Sequence, residues 1–177
     1  MRIIAGQARG RTLQAPPEGT RPMTSRAKES LFSIIQSRIP GARVLDLYAG
    51  SGSLGLEALS RGAVEAVFVE RARRAQLVIR KNIDAVGLGG DLRPGKVETV
   101  VPELSGTFDI VFVDPPYADG DRQVAAVLAS LEDAVSEGGL VVLHRQGRNA
   151  VALPDFLTSS DERRYGDAVV TLMERVT

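Results

Sequence analysis

A carboxylate followed by two prolines and a tyrosine, Asp114-Pro115-Pro116-Tyr117, closes the apolar run Ile110-Val111-Phe112-Val113. The run reads as a buried strand. Two consecutive prolines fix φ, and Pro115 drives Asp114 into an extended conformation, so the turn is stiff. Neither proline carries an N–H, which leaves the carbonyls of Asp114 and Pro115 facing whatever lies beyond the carboxyl end of the strand. In an open α/β sheet that crevice is where ligands bind. A carboxylate, a carbonyl and an aromatic ring together suit a flat ligand bearing an NH2 group: the oxygens accept its N–H bonds and the ring stacks on its face. The same tetrapeptide also fits an ordinary Asp-Pro turn at a strand end.

A second constellation precedes it. Residues 43–48 read as a strand, and Ala49-Gly50-Ser51-Gly52-Ser53-Leu54-Gly55 is a glycine-rich turn opening a helix over 54–61. Gly50, Gly52 and Gly55 match G-x-G-x-x-G, where glycine lets a ligand approach the backbone and the helix N-terminus offers free N–H groups. A strand over 66–69 then ends in Glu70, placed to accept both hydroxyls of a ribose. Nicotinamide-dinucleotide sites share this pattern. Asp46, however, sits inside the first strand, where such sites continue apolar.

The remaining elements have to hold these two constellations at one edge of a sheet. Residues 2–14 read as a hairpin with Arg9 and Arg11 near its tip, followed by a loop at Pro16, Pro17 and Gly19. Thr24 is a helix N-cap, with Ala27, Leu31, Ile34 and Ile35 at helical spacing before Pro40-Gly41, and with Arg26, Lys28 and Glu29 on the polar side. A helix over 71–86 turns Ala75, Val78, Ile79 and Ile83 inward. Residues 91–97 form a weak strand, 97–104 a short helix and 123–135 a longer one. Gly138-Gly139 introduces a strand over 140–144, and Arg163-Arg164-Tyr165-Gly166-Asp167 leads into a last strand over 168–176. Strands alternating with helices, then two strands close together, describe an α/β fold with a mostly parallel sheet and an antiparallel edge.

The chain has 177 residues, the size of one domain, and no Cys, which excludes disulfides, thiolate metal sites and a cysteine nucleophile. A reducing compartment, the cytoplasm, fits this composition. No apolar run has the length of a membrane span, so no membrane partner is expected. Lys and Arg balance Asp and Glu at 22 each, but unevenly. Residues 1–40 hold seven basic and two acidic side chains, an excess of +5, and the remainder carries −5. Residues 1–40 thus read as a basic extension of the domain formed by 41–177. That asymmetry suits a polyanion on the amino-terminal arm, and it also suits a plain solvated face.

Val44-Leu45-Asp46-Leu47-Tyr48-Ala49-Gly50-Ser51-Gly52 resembles the first motif of class I S-adenosylmethionine-dependent methyltransferases, which have a Rossmann-like fold with a seven-stranded sheet. Asp114-Pro115-Pro116-Tyr117 resembles the fourth motif of those that methylate nitrogen. Arg2-Ile3-Ile4-Ala5-Gly6, Arg9-Gly10-Arg11, Arg21-Pro22-Met23-Thr24 with Arg26, Glu29, Leu31 and Phe32, and Tyr165-Gly166-Asp167 extend the match. Over nearly its whole length the chain resembles the RsmD family of ribosomal RNA guanine-N2 methyltransferases.

The resemblance implies S-adenosylmethionine as cofactor and no metal. It implies a guanine of 16S rRNA in an assembling small subunit as substrate, and a monomer. It places the cofactor against Asp46, Tyr48, Ala49, Gly50, Ser51 and Gly52, with the ribose at Glu70 beside Arg71. The third strand of the fold often ends in an acid that meets the adenine amine. Lys96 stands there instead, so backbone groups near Val97 are expected to serve. Asp114, Pro115, Pro116 and Tyr117 would form the catalytic turn, with Tyr117 stacked on the base. Arg9, Arg11, Arg21, Arg26 and Lys28 would meet the RNA backbone. His144 stands where many relatives carry an acid, and either a catalytic or a hydrogen-bonding role is open to it. Three rivals remain: N6-adenine methylation of DNA by the same motif, an NAD-binding oxidoreductase, and a binding module without activity.

Overall fold

A computed structural model describes residues 1–15, 23–147 and 151–176. Seven strands form one sheet in the order β3-β2-β1-β4-β5-β7-β6. They are β1 (Arg43–Leu47), β2 (Glu65–Glu70), β3 (Asp91–Pro94), β4 (Phe108–Val113), β5 (Val135–Gln146), β6 (Leu157–Tyr165) and β7 (Ala168–Arg175). The first five are parallel, and β7 runs antiparallel between β5 and β6. Chain order reverses between β1, which continues to β2, and its other neighbour β4. The crevice beyond their carboxyl ends is therefore the switch point of the sheet.

The central strands are apolar almost throughout because helices cover both faces. Alternation along the pleat sends Val44, Phe68, Ile110 and Phe112 to one side. There they pack with α1 (Ser25–Ile34), α2 (Ser53–Ser60) and α3 (Arg73–Val86). Leu45, Leu47, Val67, Val69, Val111 and Val113 go to the other side, with α4 (Val97–Val100) and α5 (Asp121–Ala129). Thr24 caps α1 as its type predicts, its Oγ1 accepting the Ala27 N–H at 3.2 Å. Ile34, expected on the buried face, is exposed, and Phe32 takes that place.

Three expectations need correction. The helix expected over 123–135 stops at Ala129. The later apolar residues Leu131 and Ala134 are buried from turns and Val135 from the start of β5, which satisfies the same spacing without a helix. Gly138-Gly139 does not introduce β5 but lies within it, at an irregularity where Phe108 pairs with Val135 and Ile110 with Leu140. β6 was not legible at all, because its sequence, LTSSDERRY, is largely exposed and lacks apolar alternation. In the sheet it pairs with β7, and its ends are anchored by buried Leu157 and by Tyr165, whose hydroxyl donates to Ser30 Oγ at 2.6 Å.

The amino-terminal arm folds back as a hairpin-like loop with one bridge, Arg2 to Thr12, and turns at residues 7–10. It lies on α2. Gly6, at φ +85°, passes so close that a Cβ would stand 1.8 Å from the Ser60 carbonyl oxygen, so only glycine fits. The Ser60 hydroxyl donates to the Ala5 carbonyl and accepts the Ala8 N–H. Covered by the arm, α2 is buried on nearly every side, including Glu57. No helix among the described residues is long and apolar enough to cross a membrane.

Candidate active site

The glycine turn after β1 divides its labour. Gly50 and Gly52 adopt φ +59° and +75°, the left-handed region that glycine enters without penalty. A Cβ on Gly50 would meet only the Tyr48 carbonyl, at 3.9 Å, so this backbone faces open space where a ligand can approach. Gly55 serves packing instead, since a Cβ there would stand 2.4 Å from Phe68.

Asp46 is 1% exposed. Its Oδ2 accepts the Gly55 N–H at 2.9 Å, one of the first-turn amides of α2 that no helical carbonyl reaches. Burial pushes the Asp46 carboxyl well above the usual carboxylate range. The Gly55 N–H opposes that shift, while the carboxylates of Asp114 and Glu70 add to it. Asp46 thus stands between two further acids, at the carboxyl ends of β4 and β2, and a cation placed beside it would be favoured.

Glu70 ties the glycine turn to the next connection. Its Oε2 accepts the Gly50 N–H at 2.9 Å and its Oε1 the Ala72 N–H at 2.8 Å. A carboxylate offers about four lone-pair sites, so this side chain can brace the backbone and still accept from a ligand.

Tyr48 is the only non-glycine among the described residues at positive φ, +57°. Such a conformation costs on the order of 1–3 kcal/mol and concentrates at functional sites. Its hydroxyl is buried without a hydrogen-bond partner. Burial, with lesser contributions from Glu98 and Asp119 and opposed by Arg71, pushes the phenol up to about 12. Tyr48 lines a small cleft with Arg71, Gly95, Val97, Glu98 and Asp119. The cleft thus gathers Tyr48, Arg71 and Val97, three of the residues expected from the sequence, and adds two acids that the sequence did not single out. Lys96 also borders it. A wider hollow on the β5–β7–β6 face is lined by Arg145, Glu162 and Arg164, with none of the acids of the switch point.

Asp114 follows β4 directly, Pro115 is buried, and Pro116 is exposed with its carbonyl accepting the Asp119 N–H at 2.9 Å. Tyr117 is 48% exposed. His144 Nδ1 lies 2.7 Å from Asp114 Oδ1, which makes the histidine a hydrogen-bonding neighbour of the Asp-Pro-Pro turn.

The expected RNA contacts separate. Arg9 and Arg26 are exposed; Arg11 is exposed too, and its Nη1 donates to the Ala85 carbonyl at 2.7 Å. Lys28 is corrected: it is 3% exposed and pairs with Glu57 at 3.3 Å, so its ammonium is not presented to solvent. Arg21 lies outside the described residues. The helix expected over 71–86 is α3, and what the sequence does not show is its contact with the arm. The arm docks on α3 through Asn82, whose side chain accepts the Gln14 N–H and donates to the Gln14 carbonyl. Elsewhere on its surface α3 exposes Arg73, Arg74, Arg80 and Lys81, and none of the four makes an ion pair among the described residues.

The model of the family described as conserved hypothetical protein 95 matches residues 1–174. Ribosomal RNA small subunit methyltransferase D of Escherichia coli (strain K12) is 40% identical over 178 residues, covering 99% of this chain and 90% of the relative. The Haemophilus influenzae protein of the same name is 31% identical over 172 residues, covering 94% and 89%. The solved structure of yhhF from Escherichia coli superposes with a TM-score of 0.89 at 33% identity, covering 99% of this chain and 98% of that one.

Proposed function

The chain belongs to the RsmD family, the one described as conserved hypothetical protein 95, and we propose on that premise that it is an S-adenosylmethionine-dependent rRNA methyltransferase. Its substrate, in this reading, is the exocyclic N2 of one guanine in 16S rRNA of the assembling small subunit. The observation that carries the reading is the acidic switch point. Asp46, Glu70 and Asp114 converge where the glycine turn leaves its backbone open, a site for a cationic ligand with a ribose next to an amine acceptor. The names of the relatives support rRNA as the substrate class.

The residues present fit the cofactor. When bound, S-adenosylmethionine supplies a methyl group activated by its sulfonium. Glu70 would accept the ribose hydroxyls on the lone pairs that Gly50 and Ala72 leave, and Asp46 would attract the ammonium. The adenine would lie toward Tyr48 and Val97, with Glu98 and Asp119 as acceptors for its amine in place of the acid that Lys96 replaces.

At the other side of the crevice Asp114 and the Pro115 carbonyl accept the N2–H bonds of guanine. They draw the amine out of conjugation with the ring and stabilise the positive charge that grows on nitrogen. Holding the lone pair in line is most of the task, since proximity and orientation can supply roughly 7–11 kcal/mol. Asp114 then takes the proton that N2 releases. Tyr117 stacks on the base, which has to be out of a duplex to arrive there. Arg9, Arg11 and Arg26, with the exposed basic side chains of α3, hold phosphates and fix the register without reading sequence.

Incubation with methyl-labelled cofactor and, separately, small-subunit particles, free 16S rRNA and duplex DNA tests the proposal. Label in the RNA of the particles is expected. Label in DNA adenine would hand the site to the adenine reading, which uses the same Asp-Pro-Pro-Tyr chemistry, and no label anywhere would overturn methyl transfer.

A further inference from the structure

His144 is the only histidine in the chain. In the register of the parallel pair, Val113 of β4 stands opposite Leu143 of β5, so Asp114, the first residue past β4, comes beside His144, which continues in β5 opposite Val170 of β7. The imidazole lies inside, its side chain 5% exposed, and the carboxylate lies outward of it at 24%. Nδ1 and Oδ1 are 2.7 Å apart. A carboxylate has no proton to give, so the imidazole donates through Nδ1.

Taking the methyltransferase reading as given, we propose that His144 is the positioning residue of the reaction, its Nδ1–H holding the Asp114 carboxylate in the one orientation that presents Oδ2 to the guanine amine. The terminal torsion of an Asp side chain is broad and roughly two-fold, so the two prolines that stiffen the backbone do not fix the carboxylate plane. A hydrogen bond from behind, to one named oxygen, does. It also leaves the outward oxygen as the acceptor for N2–H and for the proton released after transfer. Because Nδ1 already carries a proton, His144 does not receive that proton through Oδ1. Its part is geometric.

Two substitutions and one spectrum test this. His144→Leu fills the space without a donor, whereas His144→Asn places an amide N–H at the same distance along the side chain as Nδ1. In single turnovers His144→Leu should lose roughly tenfold to a hundredfold in rate, the scale on which a small misplacement acts. Its affinity for S-adenosylmethionine and its KM for small-subunit particles should not change, and His144→Asn should recover most of the rate. A leucine variant at the wild-type rate, or an asparagine variant as slow as leucine, would overturn the proposal.

Should leucine prevent folding, the wild-type protein decides alone. With a single histidine, selective 15N labelling gives one imidazole, and a proton on Nδ1 is expected; a bare Nδ1 with the proton on Nε2 overturns the proposal. Failure of the underlying reading looks different: the wild-type protein itself would transfer no methyl to RNA.

Discussion

Glu57→Ala should destabilise the fold by about 3–5 kcal/mol, the cost of stranding one partner of a buried ion pair. Glu57 is fully buried and serves four donors. Its Oε2 accepts the Ile4 N–H at 2.9 Å and meets the Lys28 ammonium at 3.3 Å. Its Oε1 accepts the Ala5 N–H at 3.0 Å and Arg61 Nε at 2.9 Å. Burial already lowers the Lys28 pKa, and Glu57 is what opposes that shift. Without Glu57, the ammonium keeps, among the described residues, only the Arg2 carbonyl, at 3.3 Å.

Two backbone amides of the arm would lose their acceptor as well, but the arm can swing into water and recover them, so their cost does not add in full. At about 2–4 °C per kcal/mol for a domain of this size, the melting temperature should fall by roughly 6–20 °C. Urea titration gives the free energy directly, and protease cleavage within the arm reports its release. The double substitution Glu57→Leu with Lys28→Met should regain most of the loss, because a buried pair exchanged for apolar side chains is often neutral or stabilising. A single variant within about 1 kcal/mol of wild type would show that this carboxylate does not fasten the arm.

Glu70→Ala and Asp114→Ala should fail in opposite ways. The first should weaken S-adenosylmethionine by on the order of 1.5–3 kcal/mol in calorimetry. The second should leave that affinity nearly intact while turnover drops roughly 10²- to 10³-fold; exchange of the two phenotypes would reverse the assignments. Asp46 gives a pH dependence. With its folded pKa raised by burial, the folded chain holds more protons than the unfolded one between the ordinary Asp range and the raised value, so stability falls as pH rises through that window. A cation bound beside it restores the charged form, so binding should expel a proton there and tighten as pH rises. Equal binding enthalpies in buffers of different ionisation heat would contradict this. Arg9→Ala with Arg11→Ala, and separately Arg80→Ala with Lys81→Ala, should each flatten the slope of log affinity against log salt by roughly 0.7 per lost contact on single-stranded RNA. An unchanged slope in either pair removes that surface from the RNA path.

What the sequence makes legible are contacts carried by neighbours along the chain. The apolar runs of β1, β2 and β4, the left-handed glycines after β1, the Thr24 cap and the stiff turn at Asp114 follow from local chemistry, and each stands where its residues place it. Helical spacing puts Lys28 on the polar side of α1, yet it is buried. Its buried surroundings come from the arm and from Glu57, 29 positions away. Asp46, which the sequence offers as a cofactor contact, accepts the Gly55 N–H and so caps α2 from within a strand. The His144–Asp114 bond spans 30 positions and exists only through the β4–β5 register. The edge strand β6 carries no apolar signal because little of it is buried.

The central claim is the nitrogen that receives the methyl group. Small-subunit particles incubated with methyl-labelled S-adenosylmethionine and the wild-type chain, then digested to nucleosides and separated, should yield labelled N2-methylguanosine from 16S rRNA. Label in N6-methyladenosine, or in a methylated nucleoside other than N2-methylguanosine, would contradict the account.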